Sequence, residues 1–295
     1  MQIVSKELSF SYNPKATFSR QALDSVTLTI ESGEFFGIIG ETGSGKSTFI
    51  QHLNGLISVQ KGSLTVGEFD LSAGVKRKKK EFKKSLKELR RKVGMVFQYP
   101  EYQLFAETVF DDVAFAVKNF FPNLNKEEVA AKVKRAVEIV GLNFEEVYLK
   151  SPFDLSGGQK RRVAIAGVLA GEPEVLVLDE PVAGLDPVGK KRLMSLLHTL
   201  HENGTVKTII IVSHDMDEIS ENVERLAVFS GGKVVKTCTP KELFSDPSGE
   251  AIERLGLPVT AYATCELKKI GVNIDSDFKA ENFISEVVKE YKKLG

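Results

Sequence analysis

The chain has 295 residues, 42% hydrophobic and 27% charged, with 40 Lys and Arg balanced by 40 Asp and Glu. That length buries a full core as one large domain, or as one with an appendage, and the zero net charge argues against a dedicated nucleic-acid binder. Cys238 and Cys265 are too few for a disulfide framework, the N-terminus lacks a signal-peptide layout, and apolar runs such as Glu174–Leu178 are too short to span a bilayer, so a cytosolic chain is expected.

Residues 3–12 alternate loosely through Ile3, Val4, Leu8, Phe10 and Tyr12 and predict a strand, broken at Asn13-Pro14 ahead of a polar loop to Gln21. Tyr12 admits two readings: an aromatic that stacks on a nucleotide base, or a core or edge tyrosine. Position alone favours the second. Val26–Ile30 predicts another strand, and Phe35–Ile39 a third that runs into Gly40-Glu41-Thr42-Gly43-Ser44-Gly45-Lys46-Ser47-Thr48, with a helix from Phe49. Strand, glycine loop and helix in that order are the context a phosphate-binding loop requires. Glycines let successive N–H groups curl round a polyphosphate, and the helix N-terminus adds partial positive charge. Lys46 supplies a point charge to the β- and γ-phosphates, and the Ser47 hydroxyl is a Mg²⁺ ligand.

Gly62–Leu71 predicts one more strand. Residues 76–92 then carry eleven basic side chains against two acidic ones, with Phe82, Leu86 and Leu89 at helical spacing. This is an amphipathic helix whose basic face is either simply solvated or attracted to anionic lipid. Val93–Phe97 predicts a buried strand ending at Gln98. The pattern turns helical after Pro100, through Val109, Val113 and Phe115–Val117. A second helix follows, capped by Asn125 with Glu128 in a capping box, lined by Val129, Val133, Val137 and Val140, and ended by Gly141. Two helices with no strand between them interrupt the β–α alternation, so residues of about 100–165 predict an inserted helical lobe.

Leu155-Ser156-Gly157-Gly158-Gln159 opens another helix, with Ser156 as N-cap, Gln159 at the third position and bare N–H groups at Gly157 and Gly158. It is a second anion-binding helix start, without a lysine; taken alone it is an ordinary capped helix. Val175–Leu178, apolar at four successive positions, predicts a strand covered on both faces and leads to Asp179-Glu180-Pro181. Carboxylates at such a strand end sit where open α/β sheets bind ligands, and Pro181 predicts an extended backbone at Glu180. Ala183–Pro187 turns into a helix capped by Asp186. Thr208–Val212 is a further buried strand, ending at Ser213-His214-Asp215. Two short strands, Leu226–Phe229 and Lys233–Lys236, meet across Gly231-Gly232, and helical patterns at Pro240–Phe244, Gly249–Leu255 and Ala280–Leu294 predict an appended helical tail from about 240.

Taken together and in this order, these elements resemble the nucleotide-binding domain of ABC ATPases over residues 1 to about 240. The Walker A loop matches Gly40–Thr48, the glutamine loop starts at Gln98, and the signature matches Leu155–Gln159. The Walker B strand ends in Asp179-Glu180, the D-loop matches Ala183–Asp186, and the switch histidine is His214. The resemblance implies an α/β P-loop fold: a mainly parallel sheet core, an N-terminal antiparallel β subdomain, the inserted lobe, and a C-terminal extension over 241–295 suited to dimerisation. It implies ATP and Mg²⁺ as ligands, with Ser47, Gln98 and Asp179 around the metal and Glu180 as general base or water-orienting carboxylate. His214 would hold the γ-phosphate, and Tyr12 becomes the base-stacking aromatic. Ser156, Gly157, Gly158 and Gln159 would act in trans on ATP held by a second ATPase subunit, in a homodimer or heterodimer.

A narrower resemblance lies in Gln51–Leu56, Val96–Phe105, Arg161–Ala170 and the Ala-Gly-Leu-Asp loop, which look like the ATPase subunits of energy-coupling-factor importers. It implies a transmembrane coupling subunit and a separate vitamin- or metal-binding membrane subunit as partners, no nucleic acid, and a peripheral position on the cytoplasmic face of the membrane. Val182 departs from the threonine usual there, without touching a catalytic role. Two other classes are the ATPase of a solute-binding-protein-dependent importer and a soluble mechanical ATPase acting on DNA or the ribosome. The last inserts long coiled coils or fuses two cassettes, whereas here Lys46 and Ser156 are 110 positions apart in a single cassette.

Overall fold

The structure is a computed structural model, and it describes residues 1–14, 19–75, 78–246, 252 and 255–294. The N-terminal half contains β1 (Ile3–Tyr12), β2 (Arg20–Ile30), β3 (Phe35–Gly40), α1 (Lys46–Leu53), β4 (Lys61–Val66), β5 (Phe69–Asp70), α2 (Lys79–Lys92) and β6 (Val93–Val96). The helical segment follows with α3 (Val109–Phe120), α4 (Lys126–Ile139), α5 (Phe144–Val147) and α6 (Gly157–Leu169). Then come β7 (Val175–Asp179), α7 (Pro187–Glu202), β8 (Thr208–Val212), α8 (Met216–Asn222), β9 (Arg225–Ser230), β10 (Lys233–Cys238) and α9 (Pro240–Phe244). Helices Val259–Lys269 and Ala280–Leu294 close the chain. Among the described residues, no helix is long and apolar enough to cross a membrane.

Two sheets result. One is antiparallel, in the order β2-β1-β4-β5; the other runs β10-β9-β3-β8-β7-β6 and is parallel except where β10 pairs with β9. The continuous apolar strands have the physical cause expected of a sheet covered on both faces. Leu176, Leu178, Ile209 and Ile211 point into a core shared with the helical segment. Their neighbours Val175, Val177, Ile210 and Val212 point into a second core shared with α1 and the antiparallel sheet. Because β3, β6, β7 and β8 run parallel, Gly40 and Asp179 end their strands, and Gln98 and His214 follow theirs, on one edge of the sheet. That edge is where ligands bind in open α/β sheets.

Several local expectations change. Gly62–Leu71 is two strands, not one: Gly67, at φ 56°, turns β4 back on β5 with Val66 opposite Phe69. The second strand begins earlier than Val26, at Arg20, because it pairs with β1 as far as Tyr12. The lysine-rich stretch is helical from Lys79, with Leu89 fully buried beneath it; Lys76 and Arg77 lie outside the described residues, as do residues 15–18 of the loop after Pro14. Asn125–Glu128 and Ser156–Gln159 both form complete capping boxes.

The C-terminal stretch departs most from a simple appendage. The expected helix at Gly249–Leu255 lies largely outside the described residues. Helix Val259–Lys269 was not legible from periodicity, and it places Ala261 in the same core as the parallel sheet, with Phe244 and Phe278. Its first N–H group, on Val259, is bound by Asp217 Oδ1 at 2.7 Å, and the N–H of Ala280 by Glu221 Oε1 at 2.6 Å. One short helix, α8, therefore caps both C-terminal helices from outside their own sequence. Helix Ala280–Leu294 leaves Ile284, Val288 and Tyr291 exposed at helical spacing.

Candidate nucleotide-binding and hydrolysis site

The glycines of the loop are sterically required. A Cβ on Gly40, at φ 149°, would lie 2.3 Å from the Phe229 carbonyl oxygen, and one on Gly45, at φ 105°, would lie 2.5 Å from that of Ala22. The loop is thus clamped between β9 and β2, and α1 starts at Lys46 with no side-chain cap on its N-terminus. Lys46 Nζ donates to the carbonyls of Gly40 (2.6 Å) and Glu41 (2.9 Å). Burial lowers its pKa, opposed by the negative charges of Glu180, Asp179 and Glu41. Ser44 Oγ is buried with no hydrogen-bond partner among the described residues.

Ser47 shares a hydrogen bond with the Asp179 carboxylate. Burial raises the Asp179 pKa; the Ser47 bond and Lys46 work against that rise, and Glu180 adds to it. An unpartnered hydroxyl, a buried cation, bare helix N–H groups and a hydroxyl–carboxylate pair fit a polyphosphate with a hard, oxygen-preferring cation such as Mg²⁺.

Glu180 and His214 meet at the neighbouring strand ends, with His214 Nδ1 2.8 Å from Glu180 Oε2. The two side chains are 14% and 72% exposed, so a mostly buried carboxylate is joined to an imidazole that faces solvent. The extended backbone predicted at Glu180 is not found: its φ is 50°. That left-handed geometry costs on the order of 1–3 kcal/mol. It is held by the Glu180 N–H bond to the Val212 carbonyl (2.8 Å) and by the Ala183 N–H bond back to Glu180 (3.1 Å).

Tyr12 is 41% exposed, with its hydroxyl 3.2 Å from Thr48 Oγ1 and its ring edge-on to Phe10. It is no core tyrosine: with Arg20, Ala22, Gly43, Gly45, Lys46, Ser47 and Thr48 it lines a cleft of about 180 Å³. Arg20 was missed from sequence, because nothing local distinguishes it; β2 pairing brings it opposite Tyr12. Tyr12→Ala is expected to weaken nucleotide binding by roughly 1–3 kcal/mol with little change in base preference, as loss of a stacking platform does. Calorimetry that finds the affinity unchanged removes Tyr12 from the site.

The remaining sequence-derived residues are not gathered into that cluster. Gln98 is exposed beyond β6 and, among the described residues, bonds to neither Ser47 nor Asp179. Ser156, Gly157 and Gly158 line a different cavity of about 770 Å³, together with Asp186 at the start of α7. The space beside Gly157 and Gly158 is open, so the start of α6 is free to meet something from outside.

A second missed residue is Arg161. Its side chain is 6% exposed, pairs with Glu101 at 3.3 Å and donates from Nη1 to the carbonyls of Pro181 and Ala183, both at 3.0 Å. It ties the turn after Gln98 to the loop after Glu180. The available signal was an arginine in line with Ile165 and Leu169 on the apolar face of α6. Glu101 is consequently occupied within the chain.

Comparison with known proteins agrees with this arrangement. The ABC transporter family model matches residues 23–183. The energy-coupling factor transporter ATP-binding protein EcfA2 of Clostridium tetani is 45% identical over 98% of this chain and 97% of its own length. The corresponding protein of Enterococcus faecalis is 42% identical over 100% and 99%. Among solved structures, cbiO1 from Clostridium perfringens, part of the ABC transporter complex cbiONQ, superposes with a TM-score of 0.72 at 33% identity, covering 91% of this chain and 96% of that one. The dimeric ATP-binding cassette MJ0796 bound to ADP and Pi gives 0.69 at 28% identity, covering 81% and 98%. The chain belongs to the ABC transporter family, and within it to the energy-coupling factor transporter ATP-binding proteins.

Proposed function

We propose that the chain is the ATP-binding and ATP-hydrolysing subunit that powers an energy-coupling factor transporter. The observation that carries the reading is the Glu180–His214 pair, 2.8 Å apart on the strand edge that also presents Lys46 and the Ser47–Asp179 pair. Hydrolysis of ATP needs electrostatic positioning more than covalent help. The N–H groups of Gly40–Thr48 and Lys46 cradle the phosphates, Tyr12 stacks on the base, and Glu180 orients or deprotonates the attacking water. His214 holds the γ-phosphate side. Ser47 and Asp179, with Gln98 from its separate position beyond β6, would hold Mg²⁺, which would neutralise charge on the phosphate oxygens.

Ser156, Gly157, Gly158 and Gln159 act on nucleotide bound by a second ATPase subunit, with Asp186 at the same junction; the separate, open cavity lined by Ser156, Gly157, Gly158 and Asp186 supports this. The nucleotide-binding unit spans 1–240, and 241–295 is an extension whose exposed Ile284, Val288 and Tyr291 suit a contact with that second subunit. Coupling to membrane subunits on the cytoplasmic face runs through the turn after Gln98. Of its four large side chains, Leu104 is buried, whereas Tyr99, Tyr102 and Phe105 are exposed and Phe105 stacks edge-on with the exposed Phe115.

The test is purification from gently solubilised membranes, which should recover a transmembrane protein with the chain. Phe105→Asp is expected to release that partner and leave ATP binding intact, because Asp112 holds the loop through the backbone N–H groups of Phe105 and Ala106 rather than through the ring. Glu101→Arg in the same turn would confront Arg161 and confuse release with misfolding. Recovery of the native chain alone, or with ribosomes or DNA, overturns the transporter reading.

A further inference from the structure

The residue before His214 is tied to the buried carboxyl group of Glu218, and the residue after it to the backbone N–H of the same Glu218. Ser213 is fully buried at the end of β8, and its hydroxyl donates to Glu218 Oε2 at 2.6 Å. The same Ser213 Oγ accepts the backbone N–H of Asp215 at 3.0 Å, and Asp215 Oδ1 accepts the N–H of Glu218 at 3.1 Å. The turn carrying the imidazole is thus closed into a ring that passes through Glu218. The other carboxyl oxygen, Oε1, has no partner among the described residues, although Glu218 is only 7% exposed. A carboxyl group in that position is costly unless the ring it closes matters.

We propose that Glu218 is a positioning residue for His214: through Ser213 it fixes the turn that aims the imidazole at Glu180. This deepens the function proposed above and rests on His214 acting there. The helix that bears Glu218 has little freedom of its own. Its Asn222 side chain donates to the Glu218 carbonyl at 2.7 Å and meets His198 of α7 at 2.9 Å, and Asp217 and Glu221 are fastened to the C-terminal helices. His214, in contrast, is mostly solvent-exposed and, among the described residues, its one ion-pair partner is Glu180. Its aim therefore depends on the backbone beneath it.

The environment also makes this device sensitive to pH. Burial pushes the Glu218 pKa up from 4.5 to about 7; the Ser213 bond opposes the shift, the charges of Asp215 and Glu180 add to it, and Lys190 of α7 opposes it. Lys190 itself is engaged with Asp215 at 2.8 Å. Near and below neutral pH the side chain is a neutral acid that accepts from Ser213. Above that it becomes a buried anion, held more strongly by Ser213 but with Oε1 bare and the like charges of Asp215 and Glu180 nearby. For stability the sign follows from proton counting. Between 4.5 and about 7 the folded chain holds a proton that the unfolded chain has lost, so this group's contribution falls as pH rises through that window.

The experiment compares Glu218→Ala, Glu218→Gln and Ser213→Ala with the native sequence, each as full chain in the complex it purifies with. Glu218→Ala is expected to lower kcat roughly ten- to a hundred-fold with the KM for ATP little changed, the signature of a misaimed group. Ser213→Ala should do the same, and the double variant should be no worse than either. Glu218→Gln, which accepts from Ser213 but never ionises, should restore kcat and remove this group's fall in Tm between pH 4.5 and about 7. His214→Ala is the control. If it leaves turnover unchanged, the role of His214 itself fails. If it abolishes turnover while Glu218→Ala does not, or if Glu218→Gln is as slow as Glu218→Ala, the positioning role of Glu218 is overturned.

Discussion

Glu180→Gln is expected to bind ATP normally and to hydrolyse it ~10²–10⁴-fold more slowly, the usual loss when a general base is removed. The substitution is nearly isosteric, and the side chain is only 14% exposed, so no cavity opens. The amide can keep one contact with His214 Nδ1 but cannot take a proton or carry the charge that polarises a water molecule. Lys46 and the loop N–H groups are untouched, which separates binding from chemistry. Calorimetric binding and steady-state turnover of the purified variant, freed of contaminating ATPases, check the expectation. Turnover within a few-fold of the native rate would return Glu180 to a structural role in the His214 turn.

The second large effect is on stability. Arg161→Ala should cost roughly 3–5 kcal/mol, since it strands a partly buried Glu101 and leaves the Pro181 and Ala183 carbonyls without their donor. At about 2–4 °C per kcal/mol, that is a fall in Tm on the order of 10 °C. Pairing Arg161→Met with Glu101→Leu should recover part of the loss, because the desolvation cost of both charges then disappears. Thermal unfolding of the two variants beside the native chain decides. A single variant that melts within 2 °C or so of the native chain would mean that the ion pair is held by its surroundings rather than holding them.

What could be read from sequence was whatever is written locally. The phosphate loop, the two capping boxes, the apolar parallel strands and the glycine stops each announce themselves within ten residues, and they lie where periodicity and turn chemistry put them. The resemblance to ABC ATPases supplied roles for Gln98, Ser156 and Tyr12 that local chemistry left open. What stayed hidden is set by partners distant along the chain. Arg20 reaches the cleft only through β1–β2 pairing, and the left-handed backbone at Glu180 is imposed by a bond from β8. Helix Val259–Lys269 has no cap of its own because its cap, Asp217, sits 42 residues upstream. Arg161 looked like one more basic residue in a Lys-Arg-Arg run until α6 turned it inward.

The caps from Asp217 and Glu221 bear on where this chain can be divided. Composition draws a border near residue 240, but force does not stop there. Cutting the chain at that border would remove Phe244, Ala261 and Phe278 from a core that also contains Ile219, and leave two carboxylates on α8 facing no donor. The segment lost would be a brace bolted to the helix that begins two residues beyond His214, so a shortened chain is a differently sprung ATPase rather than a smaller one.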